Sequence, residues 1–128
     1  MPAPLALALL LGAAAPATDD FASRVQQARL AEAADAGTAY QKALWKAIGT
    51  PTTDAYQACL AGNQHDQTPF TLVLDVDAQG KPHHVVAQPD LPVARCLAAR
   101  FARWTYPTPP ATPRPYPLEI DFSVAGGK

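Results

Sequence analysis

Residues 70–88 read FTLVLDVDAQGKPHHVVAQ, and this stretch decides the fold. Apolar side chains occupy every second position from Phe70 to Val76, which is the period of a half-buried β-strand. A turn follows at Asp77–Gly80, where the glycine can adopt positive φ, and the residues from Lys81 to Gln88 again have strand character. Pro82, near the beginning of this second strand, is typical of an edge strand or a strand end. The stretch predicts an antiparallel β-hairpin.

A helix and one more strand are predicted after the hairpin. Pro92 suits the first turn of a helix whose apolar stripe extends to Trp104. Six prolines between residues 107 and 117 lack N–H donors and predict an extended connector. A last strand alternates from Tyr116 to Val124, and residues 126–128 are a frayed end. We therefore predict a β-β-α-β module at 67–125, in which a small antiparallel sheet carries one helix on its apolar face.

The preceding segment, residues 18–66, has a helical pattern, so the predicted fold class is α+β. We expect three short helices here, and Pro51 is expected to end the second one, because proline disfavours helical dihedrals in the residue before it. The candidate N-terminal caps are Asp19 or Asp20, Thr38, and Thr53 or Asp54. The glycines expected in left-handed positions after helix ends are Gly37, Gly49 and Gly62.

Composition excludes several classes of protein. The chain has 128 residues, which fits one small domain. It carries 10 lysines and arginines against 11 aspartates and glutamates, for a net charge of -1. This balance provides no extended positive surface for phosphates, so we expect no nucleic acid partner. The composition also excludes a polytopic membrane protein, a cysteine-dense mini-scaffold and a fully disordered chain.

Residues 1–17 have the pattern of a secretory signal peptide. They contain no charged side chain, and the apolar run Leu5–Leu11 precedes small residues that end in Ala15-Pro16-Ala17. This order is typical of a leader with an Ala-x-Ala site, and we predict cleavage after Ala17. The alternatives are a retained anchor or a disordered tail, although about 20 apolar residues are needed to span a bilayer. We expect a periplasmic or secreted protein with no transmembrane segment in the mature chain.

Cysteine usage agrees with export. Cys59 and Cys96 are the only cysteines, and an even number in an exported protein indicates one disulfide. In the chain-entropy model a bridge over this loop stabilises a protein by roughly 3 to 4 kcal/mol. The alternative is a pair of buried thiols that are not bonded to each other. A metal site is less favoured, because two cysteines supply too few ligands.

Several elements of the C-terminal half occur together in one known family. They are the hairpin sequence Asp77-x-x-Gly80-Lys81, the helix exit Trp104-Thr105-Tyr106-Pro107-x-Pro109, and the last strand Tyr116-Pro117-Leu118-x-Ile120-x-Phe122. Together they resemble the TonB C-terminal domain family. The similarity is closest to a periplasmic branch of gliding-motility-associated and uncharacterised TonB-like proteins, in which a cysteine, here Cys96, opens the helix. The resemblance covers Phe70 to Val124.

The resemblance implies a protein-interaction module rather than an enzyme. In TonB the domain binds an extended peptide of an outer-membrane receptor as an added strand at its sheet edge, which requires no catalytic group. The expected partner here is an envelope protein or peptide, with no cofactor and no metal. The partner-binding edge implied on the last strand consists of Leu118, Glu119, Ile120, Asp121 and Phe122. Alternatively, Glu119, Asp121 and Ser123 form only the solvent-facing side of that strand.

The chain also departs from TonB, and two other functions remain open. It lacks the membrane anchor and the long proline-rich spacer, so we expect no energy transduction. One alternative function is a small periplasmic metal-dependent enzyme that uses Asp75, Asp77, His65, His83 and His84. Adjacent strand residues point to opposite faces, so His83 and His84 would not easily ligate one ion. The other alternative function is a structural accessory domain without a ligand.

Trp45 and Trp104 fit helical stripes, and we expect both side chains in the core rather than stacked on a sugar.

Overall fold

A computed structural model describes residues 17–123, with side chains from residue 20 onward. The helices are α1 at Ala17–Ala33, α2 at Asp35–Ala61 and α3 at Pro92–Phe101, and the strands are β1 at Phe70–Val76, β2 at Pro82–Gln88 and β3 at Tyr116–Phe122. The α+β class and the β-β-α-β order are confirmed. Apart from Ala17, the predicted signal peptide lies outside the described residues, and so does the predicted frayed end.

The strands form one antiparallel sheet in the order β2-β1-β3, and the predicted hairpin joins β1 to β2. Its turn is fixed by Asp77, whose Oδ1 accepts the backbone N–H groups of Gln79 and Lys81 at 2.8 and 2.9 Å. Gly80 has a φ of 80°. A Cβ at this position would lie 2.2 Å from the carbonyl oxygen of Tyr106. The backbone conformation and the available space therefore both require glycine.

The prediction of three short N-terminal helices is wrong, because α2 continues through the place where the second one was expected to end. Pro51 lies inside α2. One buried stripe continues on both sides of the proline, and its packing outweighs the single backbone hydrogen bond that proline removes. The hydroxyl of Thr53 also donates to the carbonyl of Gly49, at 3.3 Å. The stripe consists of Tyr40, Leu44, Ile48, Thr52, Ala55, Cys59 and Leu60.

The glycines of this segment do not have the predicted left-handed role. α1 and α2 are separated only by Ala34, which is extended and has no side-chain cap. Gly37 lies inside α2, where a Cβ would come within 1.9 Å of the carbonyl oxygen of Ala31, so it permits the close approach of α1. Gly62 does follow α2, but its φ of -82° is right-handed. Gly49 lies within the helix.

The apolar face of the sheet carries α2 and α3. Leu72, Leu74 and Val76 of β1 point into this layer and are completely buried. A disulfide between Cys59 and Cys96 joins α2 to α3, with the two Cα atoms 5.8 Å apart. The predicted bridge is confirmed, and it connects the helical segment to the C-terminal module.

α1 packs against β3 and β1 on the opposite face of the sheet. Val73 points to this face and is only 1% exposed. Glu119 shares the face, and its side chain is 6% exposed and accepts a hydrogen bond from Arg29 at 3.3 Å. The solvent-facing alternative is therefore wrong for Glu119, because α1 covers it. Asp121 and Ser123 are exposed.

The two tryptophans differ. Trp104 lies beyond the end of α3 but packs on Phe101, with ring centroids 4.5 Å apart. Trp45 is 40% exposed and donates its indole N–H to Gln41 at 3.0 Å, so the expectation of a core position is wrong for Trp45. It lies beside the buried stripe of α2 rather than in it. No helix within residues 17–123 is long and apolar enough to cross a membrane.

Candidate functional site

The predicted partner-binding edge lies on β3, which is one of the two edge strands. Pro117 pairs with Asp75 and has no N–H, which places its nitrogen on the side away from β1. Asp75, which pairs with Pro117, then directs its own backbone groups away from β3 and toward β2. The turn agrees with this, because Asp77, two residues further along, donates its N–H to the carbonyl of Lys81, in the direction of β2. Since the two sides alternate along an antiparallel strand, odd-numbered residues of β1 hydrogen-bond to β2 and even-numbered ones to β3.

This register determines which backbone groups β3 offers to a partner. Leu118 and Ile120 face even-numbered residues of β1 and use their N–H and C=O groups inside the sheet. The backbone groups of Glu119 and Asp121 point away from it. The side chains of Leu118, Ile120 and Phe122 are buried in the core. An added strand would therefore meet the backbone of β3, and the three apolar residues of the predicted edge serve the fold.

The two carboxylates of this edge have different surroundings. Burial raises the pKa of Glu119 above its ordinary value of 4.5, and the hydrogen bond from Arg29 acts in the opposite direction. Asp121 is exposed and accepts a hydrogen bond from the hydroxyl of Thr71 at 2.6 Å. α1 thus holds Glu119, while Asp121 presents its charge at the surface beside the strand.

A second edge, on β2, has a cleft of about 650 Å³ beside it. The cleft lies between this strand and α3, which contributes Arg95 and Ala98. Val86 is 40% exposed. The pairing with β1 is irregular at His84, whose φ of 53° marks a β-bulge. Pro82 indicated an edge strand at the level of sequence, but no pattern indicated the cleft.

A wider groove, of about 970 Å³, lies between α1, the sheet and the proline-rich connector. Arg24 of α1 reaches across it and donates to the carbonyl of His84 at 2.7 Å. The same guanidinium lies 3.7 Å from Oδ2 of Asp75, which is also 3.6 Å from Nδ1 of His84. This cluster fixes α1 on the sheet. Sequence reasoning missed it, because Arg24 and His84 are 60 positions apart and no local spacing connects them.

The residues of the metal-dependent alternative fall into separate groups. Nε2 of His83 lies 2.8 Å from Oδ2 of Asp77, and this hydrogen bond, followed by the N–H of Lys81, lowers the pKa of Asp77 below its ordinary value. Asp75 is engaged by Arg24 instead, and His65 belongs to the connector after α2. Between residues 17 and 123, no three His, Cys, Asp or Glu side chains are close enough together to hold one metal ion.

Comparisons with protein-family models, with known proteins and with solved structures found no match.

Proposed function

We propose that this chain is an exported, non-enzymatic interaction module that binds an extended peptide of an envelope protein as an added strand on β3. The proposal depends on one observation, the register in which the N–H and C=O groups of Glu119 and Asp121 point away from the sheet. These four groups match the hydrogen bonds of one more antiparallel or parallel strand. The resemblance of residues 70–124 to the TonB C-terminal domain family suggests the same mode of binding.

An extracytoplasmic location belongs to the proposal. Disulfides persist in oxidising compartments, and the bridge between Cys59 and Cys96 suits the periplasm or the exterior. The signal peptide predicted at 1–17 would direct the chain there.

A non-enzymatic role agrees with the structural contacts that the aspartates of the hairpin make. Asp77 holds the turn through Gln79 and Lys81. Asp75 is held by Arg24 and orients α1. Both carboxylates are thus committed to structure, and strand addition needs main-chain groups only.

A proline substitution on the outer side of β3 tests the proposal. Asp121→Pro removes an N–H that points away from β1, so the sheet keeps its internal hydrogen bonds, as it does at Pro117. Asp121→Ala is the matched control, because it removes the same contact with Thr71 but retains the N–H. Leu118 and Ile120 are unsuitable positions, because both are buried and their substitution would disturb the core.

The experiment selects binders from a library of displayed random 12-residue peptides, with the parent chain as bait. We expect enriched peptides to bind the parent chain and Asp121→Ala with similar affinity, and to bind Asp121→Pro at least tenfold more weakly. Thermal unfolding would verify that both variants are folded. If no peptide is enriched, or if the peptides bind Asp121→Pro as tightly as the parent, strand addition on β3 is wrong and an accessory domain without a ligand is favoured.

A further inference from the structure

The outer side of β2 offers a second set of backbone groups. Val73 pairs with Val86 and Thr71 with Gln88. Odd-numbered residues of β1 hydrogen-bond to β2, so Val86 and Gln88 use their N–H and C=O groups inside the sheet. The groups of Val85 and Ala87 therefore point outward, into the cleft of about 650 Å³ between β2 and α3. Among the described strands, none lies beyond β2.

The side chains along this edge suit close contact with another strand. Val86 is one of only three large apolar side chains that are exposed among the described residues. Ala98, across the cleft on α3, is small and leaves the space beside the strand open. Exposed apolar side chains on an edge strand favour pairing with a further strand. The bulge at His84 limits the regular part of the edge to its second half.

The nearest charged side chains before and after β2 have opposite signs. Lys81 precedes the strand and Asp90 follows it, and both are exposed. Antiparallel pairing of β2 with a copy of itself places the beginning of one strand against the end of the other. Each Lys81 then lies near an Asp90 of the other copy. The edge of β2 can therefore pair with the same edge of a second copy through its backbone groups, the apolar side chain of Val86 and the opposite charges of Lys81 and Asp90.

We propose that β2 is a dimerisation strand, which pairs with β2 of a second copy of this chain across a two-fold axis at Val86. Val85 exchanges two backbone hydrogen bonds with the partner's Ala87, and Ala87 exchanges two with the partner's Val85. The two Val86 residues form the pair without hydrogen bonds, in which the side chains come closest. Closed two-fold pairing of this kind uses one surface twice and cannot continue into a fibre.

The dimer has a consequence for the whole assembly. Its sheet has six strands in the order β3-β1-β2-β2-β1-β3, so the two β3 edges lie at opposite ends. Each remains available for a peptide, and a dimer would bind two peptides at once, with a gain in avidity for a partner that carries two binding segments. Dimerisation itself does not depend on peptide binding at β3.

The first test compares Val86→Lys with Leu30→Lys by sedimentation equilibrium over a range of concentrations. The parent chain should form a dimer of twice the monomer mass. Val86→Lys places two like charges directly opposite each other and should raise the dimer dissociation constant at least tenfold. Leu30 is the matched control, because it is also an exposed apolar residue, at 67%, and lines the same groove as Val86, but belongs to α1 and not to the strand. Leu30→Lys should dimerise like the parent.

Exchanging the charges of Lys81 and Asp90 distinguishes an ion pair between two copies from an effect on the structure of one copy. Lys81→Glu and Asp90→Lys should each weaken the dimer severalfold, and the double variant should recover the parent affinity. Asp90 also accepts a hydrogen bond from Arg95 at 2.8 Å, but the double variant lacks this bond too, so recovery can only come from the pair across the interface.

Three outcomes would overturn the proposal. They are a parent chain that stays monomeric at millimolar concentration, a Val86→Lys variant that dimerises as tightly as the parent, and a double variant no tighter than the single ones. The Asp121→Pro variant distinguishes this failure from that of the proposed function, because it should lose peptide binding and keep the dimer.

Discussion

Gly37 and Gly49 both lie inside α2, but their surroundings predict opposite effects of alanine. A Cβ at Gly37 would meet the backbone of Ala31 and Glu32, which cannot move without displacing α1 from α2. We expect Gly37→Ala to destabilise the fold by about 1 to 3 kcal/mol, the usual cost of overpacking. Urea unfolding followed by circular dichroism would measure the change.

Gly49→Ala is the matched substitution in the same helix. Nothing lies within 4 Å of a Cβ at Gly49, and alanine has a lower entropic cost than glycine in a helix. The expected result is a gain of about 0.5 to 1 kcal/mol in the free energy of unfolding. A loss of stability in Gly49→Ala would contradict the open surroundings of this position, and unchanged stability in Gly37→Ala would contradict the close approach of α1 at Gly37.

Asp77 predicts how stability depends on pH. Its pKa is lowered in the folded state, first by the hydrogen bond from His83 and then by the backbone N–H groups of Lys81 and Gln79. A lowered carboxyl pKa contributes stability that is present above the ordinary value of 3.8 and is lost as pH falls through the folded value. Urea midpoints should therefore drop below pH 4, and they should drop less in Asp77→Asn. If the urea midpoint of Asp77→Asn falls with pH as steeply as that of the parent chain, this role of Asp77 is contradicted.

At the scale of elements, the disulfide is a covalent link between the helical segment and the sheet module. The bridge from Cys59 in α2 to Cys96 in α3 spans 37 positions. We expect the double variant Cys59→Ser/Cys96→Ser to lose about 3 to 4 kcal/mol of unfolding free energy, because its unfolded chain is less constrained. A reductant should destabilise the parent chain by a similar amount and leave the double variant unchanged. Equal stability of parent and double variant would contradict the account.

The strands and the helices differ in how far the sequence determines them. β1, β2 and β3 follow from alternation and turn chemistry close to Asp77 and Gly80, and α3 follows from Pro92 and its stripe. The boundaries of α1 and α2 do not, because Pro51 is tolerated only through the packing of distant residues on both of its sides. Likewise the first helix was expected to end just before Gly37, but the break lies at Ala34 and Gly37 belongs to α2, where it permits the close approach of α1.

At the scale of the whole molecule, the sheet has one face covered by α2 and α3 and the other covered by α1. Of the first layer, the sequence predicted α3, because the alternating residues of β1 needed an apolar cover, but not α2. It did not predict the second, because α1 is held by long-range polar contacts such as those of Arg24 and Arg29. The resemblance implied a binding edge on the last strand. Which backbone groups of this edge point away from the sheet, those of Glu119 and Asp121, follows only from the register of β3 against β1.

We propose a different binding role for each of the two sheet edges. β3 would receive an extended peptide, and β2 would join two copies of the chain. β3 is paired with β1 from Tyr116 to Phe122, and Arg29 of α1 contacts Glu119, so the strand is ordered before a partner arrives. A rigid edge of this kind reduces the ordering cost of binding.

Residue-resolved hydrogen–deuterium exchange of β3, measured by NMR with and without a selected peptide, tests the central claim most directly. In the free protein the amides of Glu119 and Asp121 should exchange rapidly, whereas those of Leu118, Ile120 and Phe122 should be protected by β1. Bound peptide should slow exchange at Glu119 and Asp121 and change the others little. Rapid exchange at both residues in the saturated complex, or slow exchange at both before peptide is added, would contradict strand addition on β3.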